Sequence, residues 1–130
     1  MPKKTPLICP YDETNFSPPA PVLSVSLSTP INGQIIKSLA LLDSGADITA
    51  IPQWVAQQLQ LKYVDEITVE GYDGIPTKKF IYSVKIIFPN LEDFIIKSIA
   101  VDSKFTLIGR DILNRWSIFL KGRSKTFRIS

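Results

Sequence analysis

The strongest candidates for chemistry are Asp43, Ser44 and Gly45, which interrupt an otherwise apolar stretch of the chain. The run 39–42 is apolar and leads directly into Asp43, and a second apolar stretch follows shortly afterwards. A carboxylate at the end of a buried strand is unfavourable unless it is paired with another group or has a function. Ser44 adds a hydroxyl, and Gly45 permits a tight turn or close approach of a ligand to the backbone. The tripeptide is therefore a candidate active-site loop, although the same residue types are common in ordinary turns.

Composition limits the chemistry open to such a loop. The 130-residue chain contains no histidine and a single cysteine, Cys9. Without histidine, Ser-His and Cys-His triads and most zinc sites are excluded, so carboxylates are left as the acid–base groups. We therefore expect neither a metal nor a cofactor. A lone cysteine allows no internal disulfide, which fits a reducing compartment, and we expect a cytoplasmic location.

Length, hydropathy and charge indicate the broad class of protein. The length fits one domain with one core, and no apolar run approaches the ~20 residues of a membrane helix, so we expect no membrane partner. The net charge is +3, with a basic cluster at Lys121, Arg123, Lys125 and Arg128. Nucleic-acid binding is one interpretation of this cluster, but no aromatic-interleaved patch or recognition helix accompanies it. We interpret it as a solvated face and expect no nucleic-acid partner.

A second stretch, Thr106-Leu107-Ile108-Gly109-Arg110-Asp111-Ile112-Leu113, repeats the pattern of an apolar strand that ends at a glycine. Together the two stretches resemble the retropepsin family, the retroviral-type aspartic proteases, over about residues 21–120. The first matches that family's hydrophobic-Asp-Thr/Ser-Gly-Ala-Asp loop. The second matches its hydrophobic-hydrophobic-Gly-Arg-Asn/Asp segment before a short helix, in the form found in cellular and bacterial members.

The resemblance implies an all-β fold, a mainly antiparallel closed barrel-like sheet equivalent to half of a pepsin molecule, with one or two short helices. It also implies a homodimer. We divide the chain into a proline-rich extended arm at residues 1–21 and a retropepsin-like domain at residues 22–130.

Hydrophobic periodicity and turn residues predict the elements of this domain. The predicted strands are Val22–Ser28, 34–42, 48–51, 67–70, 75–82, 80–88, Phe94–Val101, Thr106–Ile108, 118–120 and Thr126–Ile129. Asn32-Gly33 predicts the turn of the first hairpin. Two short helices are predicted, at 53–59 with Pro52 in its first turn and at 110–115. Trp54 and Trp116 are predicted to lie in the core.

A hairpin tip is predicted at Gly71, Tyr72, Asp73 and Gly74, between two of these strands. An ordinary β-turn is one interpretation. The resemblance implies the other, a flap that closes over substrate and contacts it, although the family's tip is usually richer in glycine. Glycines favour the low local stability that a lid requires.

The resemblance also implies a role for each residue of the two motifs. In the first motif, Asp43 is the catalytic acid, Ser44 hydrogen-bonds across the dimer, and the Gly45 carbonyl meets the substrate backbone. Ala46 lines the site, and Asp47 binds substrate and pairs with Arg110. In the second motif, Ile108 contacts substrate, and Gly109 and Arg110 support the loop. Asp111 is interpreted as a helix-start acid without a catalytic role.

Two carboxylates that share one proton can activate a water molecule and polarise a peptide carbonyl. This chain has one Asp-Ser-Gly, since Asp73-Gly74 and Asp111-Ile112 lack the required flanking residues. An aspartic endopeptidase would therefore need two chains, each contributing Asp43, acting on a polypeptide substrate. The alternative is a catalytically silent retropepsin-fold module that dimerises or binds peptides.

Overall fold

The computed structural model describes residues 5–31, 33–71 and 73–130. It confirms a mainly β fold with two short helices. The strands are β1 (Leu7–Pro10), β2 (Val22–Ser28), β3 (Ile35–Leu42), β4 (Ala50–Pro52), β5 (Tyr63–Glu70), β6 (Pro76–Ile87), β7 (Phe94–Val101), β8 (Thr106–Ile108), β9 (Ile118–Lys121) and β10 (Thr126–Ile129), and the helices are α1 (Gln53–Gln58) and α2 (Arg110–Leu113). Asn32 of the predicted turn and Tyr72 of the predicted flap tip lie outside the described residues.

The larger sheet closes on itself as a barrel. Its strand order is β2-β3-β8-β4-β7-β6-β5, and β2 also pairs with β6. Most neighbours are antiparallel, but β3 pairs in parallel with β8, and β4 pairs in parallel with β7. The predicted closed, mainly antiparallel sheet is therefore confirmed, with β5 left outside the closed part.

The first hairpin supplies one wall of the core. Leu23, Val25 and Leu27 of β2 are buried, as their alternation with serines predicts. β2 pairs along its whole length with β3, from Ser28 opposite Ile35 to Val22 opposite Leu41. This pairing fixes where β3 ends, immediately before Asp43.

The flap hairpin is longer than the sequence patterns indicate. The two strands predicted at 75–82 and 80–88 are one continuous strand, β6, because their alternation runs on without a break. The half of β6 near Ile86 lies in the barrel wall, and the half near Pro76 pairs with β5 alone. Nearly every residue of β5 is exposed, so this hairpin stands away from the core.

Helix α1 differs from the prediction at its start and on one face. Pro52 is the last residue of β4 and precedes the helix, so its placement in the first turn was wrong. Val55 and Leu59 are buried as predicted, whereas Trp54 is 44% exposed and lies outside the core. No helix in the described part of the chain is long and apolar enough to cross a membrane.

A separate three-stranded sheet covers one side of the barrel core. Its order is β1-β10-β9, so the N-terminal arm contributes an extended strand. Phe127 and Ile129 of β10 are almost completely buried and belong to the main core. Trp116 packs edge-on against Phe88, with ring centroids 4.9 Å apart. Cys9 packs against the same core, and burial raises the pKa of its thiol.

Because Phe127 joins the small sheet to the barrel, we predict that Phe127→Ala lowers the free energy of unfolding by about 3–5 kcal/mol. Urea denaturation followed by tryptophan fluorescence measures the loss. Ile8→Ala is the matched control, since Ile8 lies in the same sheet and is 69% exposed. Equal losses for the two variants would contradict the packing described here.

Candidate active site

Asp43 is positioned by the parallel pairing of β3 with β8. Leu42 lies opposite Ile108, and the Asp43 amide donates a hydrogen bond to the Ile108 carbonyl at 2.9 Å. On the other side, the Leu42 amide donates to the Pro21 carbonyl at 3.1 Å. Asp43 therefore lies at a fixed position at the end of the barrel, where it is half-buried.

The loop turns tightly around the Asp43 carboxylate. The Gly45 amide donates to Asp43 Oδ1 at 3.0 Å, and the Ala46 amide donates to the Asp43 carbonyl at 3.1 Å. A Cβ at position 45 would lie 3.2 Å from Asp43 Oδ1, so glycine leaves room for the oriented carboxylate. Ser44 and Gly45 are exposed, Ala46 is half-buried, and Asp47 is exposed. The loop thus presents one oriented carboxylate and an accessible backbone.

Gly109 allows the loop to pass directly over the start of α2. A Cβ at this position would lie 2.7 Å from the Ile48 carbonyl carbon and 2.9 Å from the Thr49 amide nitrogen. These are backbone atoms, which cannot move aside easily. The Arg110 amide donates to the Ala46 carbonyl at 2.8 Å across the same contact. The predicted supporting role of Gly109 therefore has a steric basis.

Arg110 supports the loop by a different bond from the predicted one. Its Nη1 donates to the Ser44 carbonyl at 2.7 Å. Among the described residues, no ion pair joins Arg110 to Asp47, so the expected pairing is replaced by a bond to the backbone. Both side chains are exposed, and an exposed ion pair contributes little to stability. The Asp47 carboxylate is left accessible at the rim of the loop.

Ile108 is fully buried in the core, because β8 runs through the barrel wall between β3 and β4. The sequence predicts that it contacts substrate. In this chain its side chain packs inside, and its carbonyl holds the Asp43 amide. Its role in the site is thus exerted through the backbone.

A hydrogen-bond network around Thr49 was missed in the sequence. Thr49 is fully buried and donates from its amide and its hydroxyl to the two oxygens of Asp111, at 3.1 and 2.7 Å. Its hydroxyl also accepts the Gly109 amide at 3.1 Å, and its carbonyl accepts the Ser98 hydroxyl at 2.7 Å. Asp111 accepts the Ile112 amide at 3.0 Å as well, so it does more than start the helix. The available signal was a single threonine within the apolar stretch 48–51.

The tip of the flap hairpin is closed by its own hydrogen bonds. Asp73 Oδ1 accepts the Ile75 amide at 3.0 Å, and the Gly74 amide donates to the Gly71 carbonyl at 3.0 Å. Gly74 has φ of +73°, a backbone conformation that favours glycine. These tip residues are exposed, and their hydrogen bonds stay within the hairpin. The structure therefore does not bring Gly71, Asp73 or Gly74 to Asp43 by any direct bond.

An apolar groove of about 260 Å³ adjoins the active-site loop. We call it the Trp116 groove. It is lined by Pro21, Leu42, Ser44, Leu113, Asn114, Trp116, Ile118 and Leu120. One wall is therefore the candidate catalytic loop, and another is strand β9.

Among the described residues, the Asp43 carboxylate is oriented by the Gly45 amide and no hydrogen bond joins it to another acid. In the described part of the chain there is no cluster of three or more residues that could hold a metal ion. Two carboxylates must come together for water activation by a shared proton. A single chain thus provides half of such a site.

A comparison of the sequence with protein-family models identifies the family of this chain. Residues 18–121 match the family model of the retroviral aspartyl protease. The chain belongs to the retroviral aspartyl protease family. No curated protein is similar enough to match it.

Solved structures of this family share the fold. The chain is similar to a retropepsin-like aspartic protease from Rickettsia conorii, with 16% identity and a TM-score of 0.62, over 96% of this chain and 90% of that one. The EIAV protease in complex with an inhibitor matches with 20% identity and a TM-score of 0.56, over 80% and 91%. The retroviral protease-like domain of Ddi1 from Leishmania major matches with 16% identity and a TM-score of 0.51, over 84% and 88%.

The Thr49 network predicts a specific stability effect. Thr49→Val removes the hydroxyl and leaves the buried Gly109 amide without its acceptor, so we expect the free energy of unfolding to fall by about 1–3 kcal/mol. Thr49→Ser is the control, because it keeps the hydroxyl and loses only a methyl group. Urea denaturation compares the two. A valine variant as stable as the serine variant would show that the hydroxyl does not brace the loop.

Proposed function

We propose that this protein is an aspartic endopeptidase that hydrolyses extended peptides with a water molecule held between Asp43 of two chains. The observation that carries the proposal is the Asp43 loop, where a half-buried carboxylate at a strand end is oriented by the Gly45 amide. Family membership supports the class of reaction. The fold itself would not be sufficient, because one fold can serve several functions.

In this mechanism the two carboxylates divide the acid and base roles. The ionised Asp43 takes a proton from water, which attacks the peptide carbonyl, and the protonated Asp43 donates to the carbonyl oxygen. Collapse of the tetrahedral intermediate releases the amine, which leaves with a proton from the dyad. The single proton that the two carboxylates share supplies the acid in this step.

The accessible backbone of the loop would hold the substrate in register. The exposed Gly45 is suited to meet the substrate backbone through its carbonyl, and the unpaired position of Asp47 at the rim suits it to bind substrate amides. The Ser44 hydroxyl, exposed in one chain, would bond to the loop of the second chain. The flap hairpin would close over the bound peptide, as exposed hairpins with few core contacts can move.

A catalytically silent peptide-binding module is the second candidate, and the flap tip favours it. The Asp73 carboxylate already occupies the Ile75 amide, which reduces the backbone donors open to a substrate. The exposed edge strand β5 could accept an extended peptide by strand addition. Such a module would bind peptides without cleaving them.

The two candidates differ in the outcome of Asp43→Asn. For an endopeptidase we predict a loss of cleavage of at least about 100-fold, because asparagine cannot act as the base. Cleavage of a diverse peptide library, followed by mass spectrometry at pH 4 to 7, measures the loss. Asp102→Asn is the control, since Asp102 is an exposed carboxylate in the turn after β7. Unaltered cleavage by the Asp43 variant would refute the mechanism, and no cleavage by the wild type would favour the silent module.

A shared site also predicts how activity depends on concentration. Because only dimers would carry a complete dyad, specific activity should fall on dilution below the dimer dissociation constant. Initial rates over a wide range of enzyme concentration, combined with sedimentation velocity, check this. Constant specific activity in samples that sediment as monomers would contradict a site built from two chains.

A further inference from the structure

The small sheet has an inner and an outer face, which the register of its strands separates. Residues directly opposite each other in an antiparallel sheet share a face. Phe127 and Ile129 of β10 are buried, so they and their partners on β1 and β9 form the inner face. The other residues form the outer face: Ile8 and Pro10 of β1, Phe119 and Lys121 of β9, and Thr126 and Arg128 of β10. All of these except Thr126 are exposed, so the outer face is open to a partner.

The outer face combines exposed apolar side chains with cations. Ile8, Arg128 and Phe119 lie in one row across the three strands, and Ile8 and Phe119 are 69% and 51% exposed. Two cations lie over the Phe119 ring, because Lys121 Nζ and Arg128 Cζ are each 5.6 Å from its centroid. Such cation–π contacts keep the charged groups close to the face. The face therefore presents positive charge above an apolar base.

Charge is divided unequally along the chain. Residues 112–130 contain five lysines and arginines and no acid, whereas residues 1–111 contain ten basic residues and all twelve acids. The part of the chain that builds β9 and β10 is thus positive, and the remainder is slightly negative. Uneven charge of this kind indicates a surface for a partner of opposite charge.

The cations of this face are not neutralised within the chain. Lys125, in the turn before β10, forms a salt bridge with Glu13 at 2.9 Å. Across the residues that the structure describes, Lys121, Arg123 and Arg128 form no salt bridge. All three are exposed. They are therefore available to carboxylates from another molecule.

We propose that the outer face binds an acidic segment of a polypeptide partner. Carboxylates of that segment accept hydrogen bonds from Lys121, Arg123 and Arg128, and a guanidinium can hold a carboxylate by two parallel bonds. An apolar side chain of the segment packs against Ile8 and Phe119. The outer face binds without using Asp43, so this surface goes beyond the proposed function and does not rest on it.

Two other kinds of polyanion fit the face less well. A membrane surface is bound by apolar side chains that enter the bilayer, but Phe119 would carry into it the two cations that lie over its ring, and burying charge is costly. Single-stranded nucleic acid is bound by bases that stack on open aromatic rings, whereas this ring is already covered by cations. A carboxylate needs neither insertion nor stacking and can bind the cations where they lie. The observed contacts therefore favour an acidic peptide.

The size of the face fits a short extended segment. Three strands about 4.8 Å apart make a face roughly 10 Å wide, and four residues at about 3.3 Å each give it a length of ~13 Å. About four extended residues of a partner span this length. Because exposed ion pairs each contribute little, we expect weak binding that depends strongly on salt.

Fluorescence anisotropy with a labelled acidic peptide tests the proposal. The probe is a synthetic peptide of glutamates around one central phenylalanine, and its counterpart has glutamine in place of every glutamate. Each is titrated with the Asp43→Asn variant, so that cleavage cannot interfere, at a salt concentration of about 50 mM. We expect the glutamate peptide to bind at least about tenfold more tightly than the glutamine peptide. Its dissociation constant should rise with added salt, because salt screens the charges.

Charge reversal identifies the surface that binds. Lys121→Glu combined with Arg128→Glu should raise the dissociation constant of the glutamate peptide at least about tenfold. Lys37→Glu combined with Lys97→Glu is the matched control, because both lysines are exposed on barrel strands and the net charge changes equally. This control should raise the constant by no more than about threefold. Circular dichroism checks folding, and where the first pair does not fold, Lys121→Gln against Lys97→Gln decides, with an expected rise of about threefold for Lys121→Gln alone.

Three results would overturn the proposal: equal effects of the two double variants, equal binding of the two peptides, or no binding up to about 0.5 mM protein. Tighter binding to vesicles of phosphatidylserine and phosphatidylcholine, lost in the Lys121→Glu and Arg128→Glu double variant, would also overturn it and identify a membrane as the occupant. The same result with single-stranded oligothymidylate would identify nucleic acid.

The outcomes also separate the outer face from the proposed function. Peptide binding at the outer face of a protein without any peptidase activity would keep this surface and discard the function. An active enzyme that binds neither peptide at this face would keep the function and discard the surface.

Discussion

The close contact between the candidate active-site loop and Gly109 is the constraint on which the candidate site depends. The loop backbone at Ile48 and Thr49 lies so near Gly109 that no side chain fits between them. At this contact the Thr49 hydroxyl accepts a hydrogen bond from the Gly109 amide and donates one to the Asp111 carboxylate. The Asp43 loop and the segment 106–113 are thereby joined into a single unit, although about 60 residues separate them in the chain.

That unit explains why Asp43 stands where it does. β3 carries the aspartate to the barrel end, and β8 fixes it through the Ile108 carbonyl. Arg110, the first residue of α2, then holds the far side of the loop at the Ser44 carbonyl. The site is therefore assembled from two strand ends and one helix start, all attached to a rigid barrel. The β5–β6 hairpin, by contrast, stands away from the core, because nearly every residue of β5 is exposed.

Much of the fold was predictable, because simple alternation of apolar and polar residues in β2 and β10 reports directly on burial. The two motifs also predicted the loop and the start of α2. Partners of specific side chains were not predictable in the same way. Arg110 bonds to the Ser44 carbonyl and not to Asp47. A sequence does not indicate such a partner, because every residue has a backbone carbonyl. In the sequence, Thr49 does not differ from other threonines with apolar neighbours. Its hydrogen bonds form only because the fold brings it next to Ser98, Gly109 and Asp111. Trp54 was misplaced because a six-residue helix has too few turns for a clear period.

If two chains share one catalytic centre, as we propose, the stoichiometry with which a transition-state mimic binds will show it. A statine-type peptide contains a hydroxyl that imitates the tetrahedral intermediate and should bind between the two Asp43 carboxylates. Isothermal titration calorimetry at mildly acidic pH counts the sites. We predict one bound inhibitor for every two chains, with binding lost in Asp43→Asn. One inhibitor per chain, or binding that survives the substitution, would contradict it.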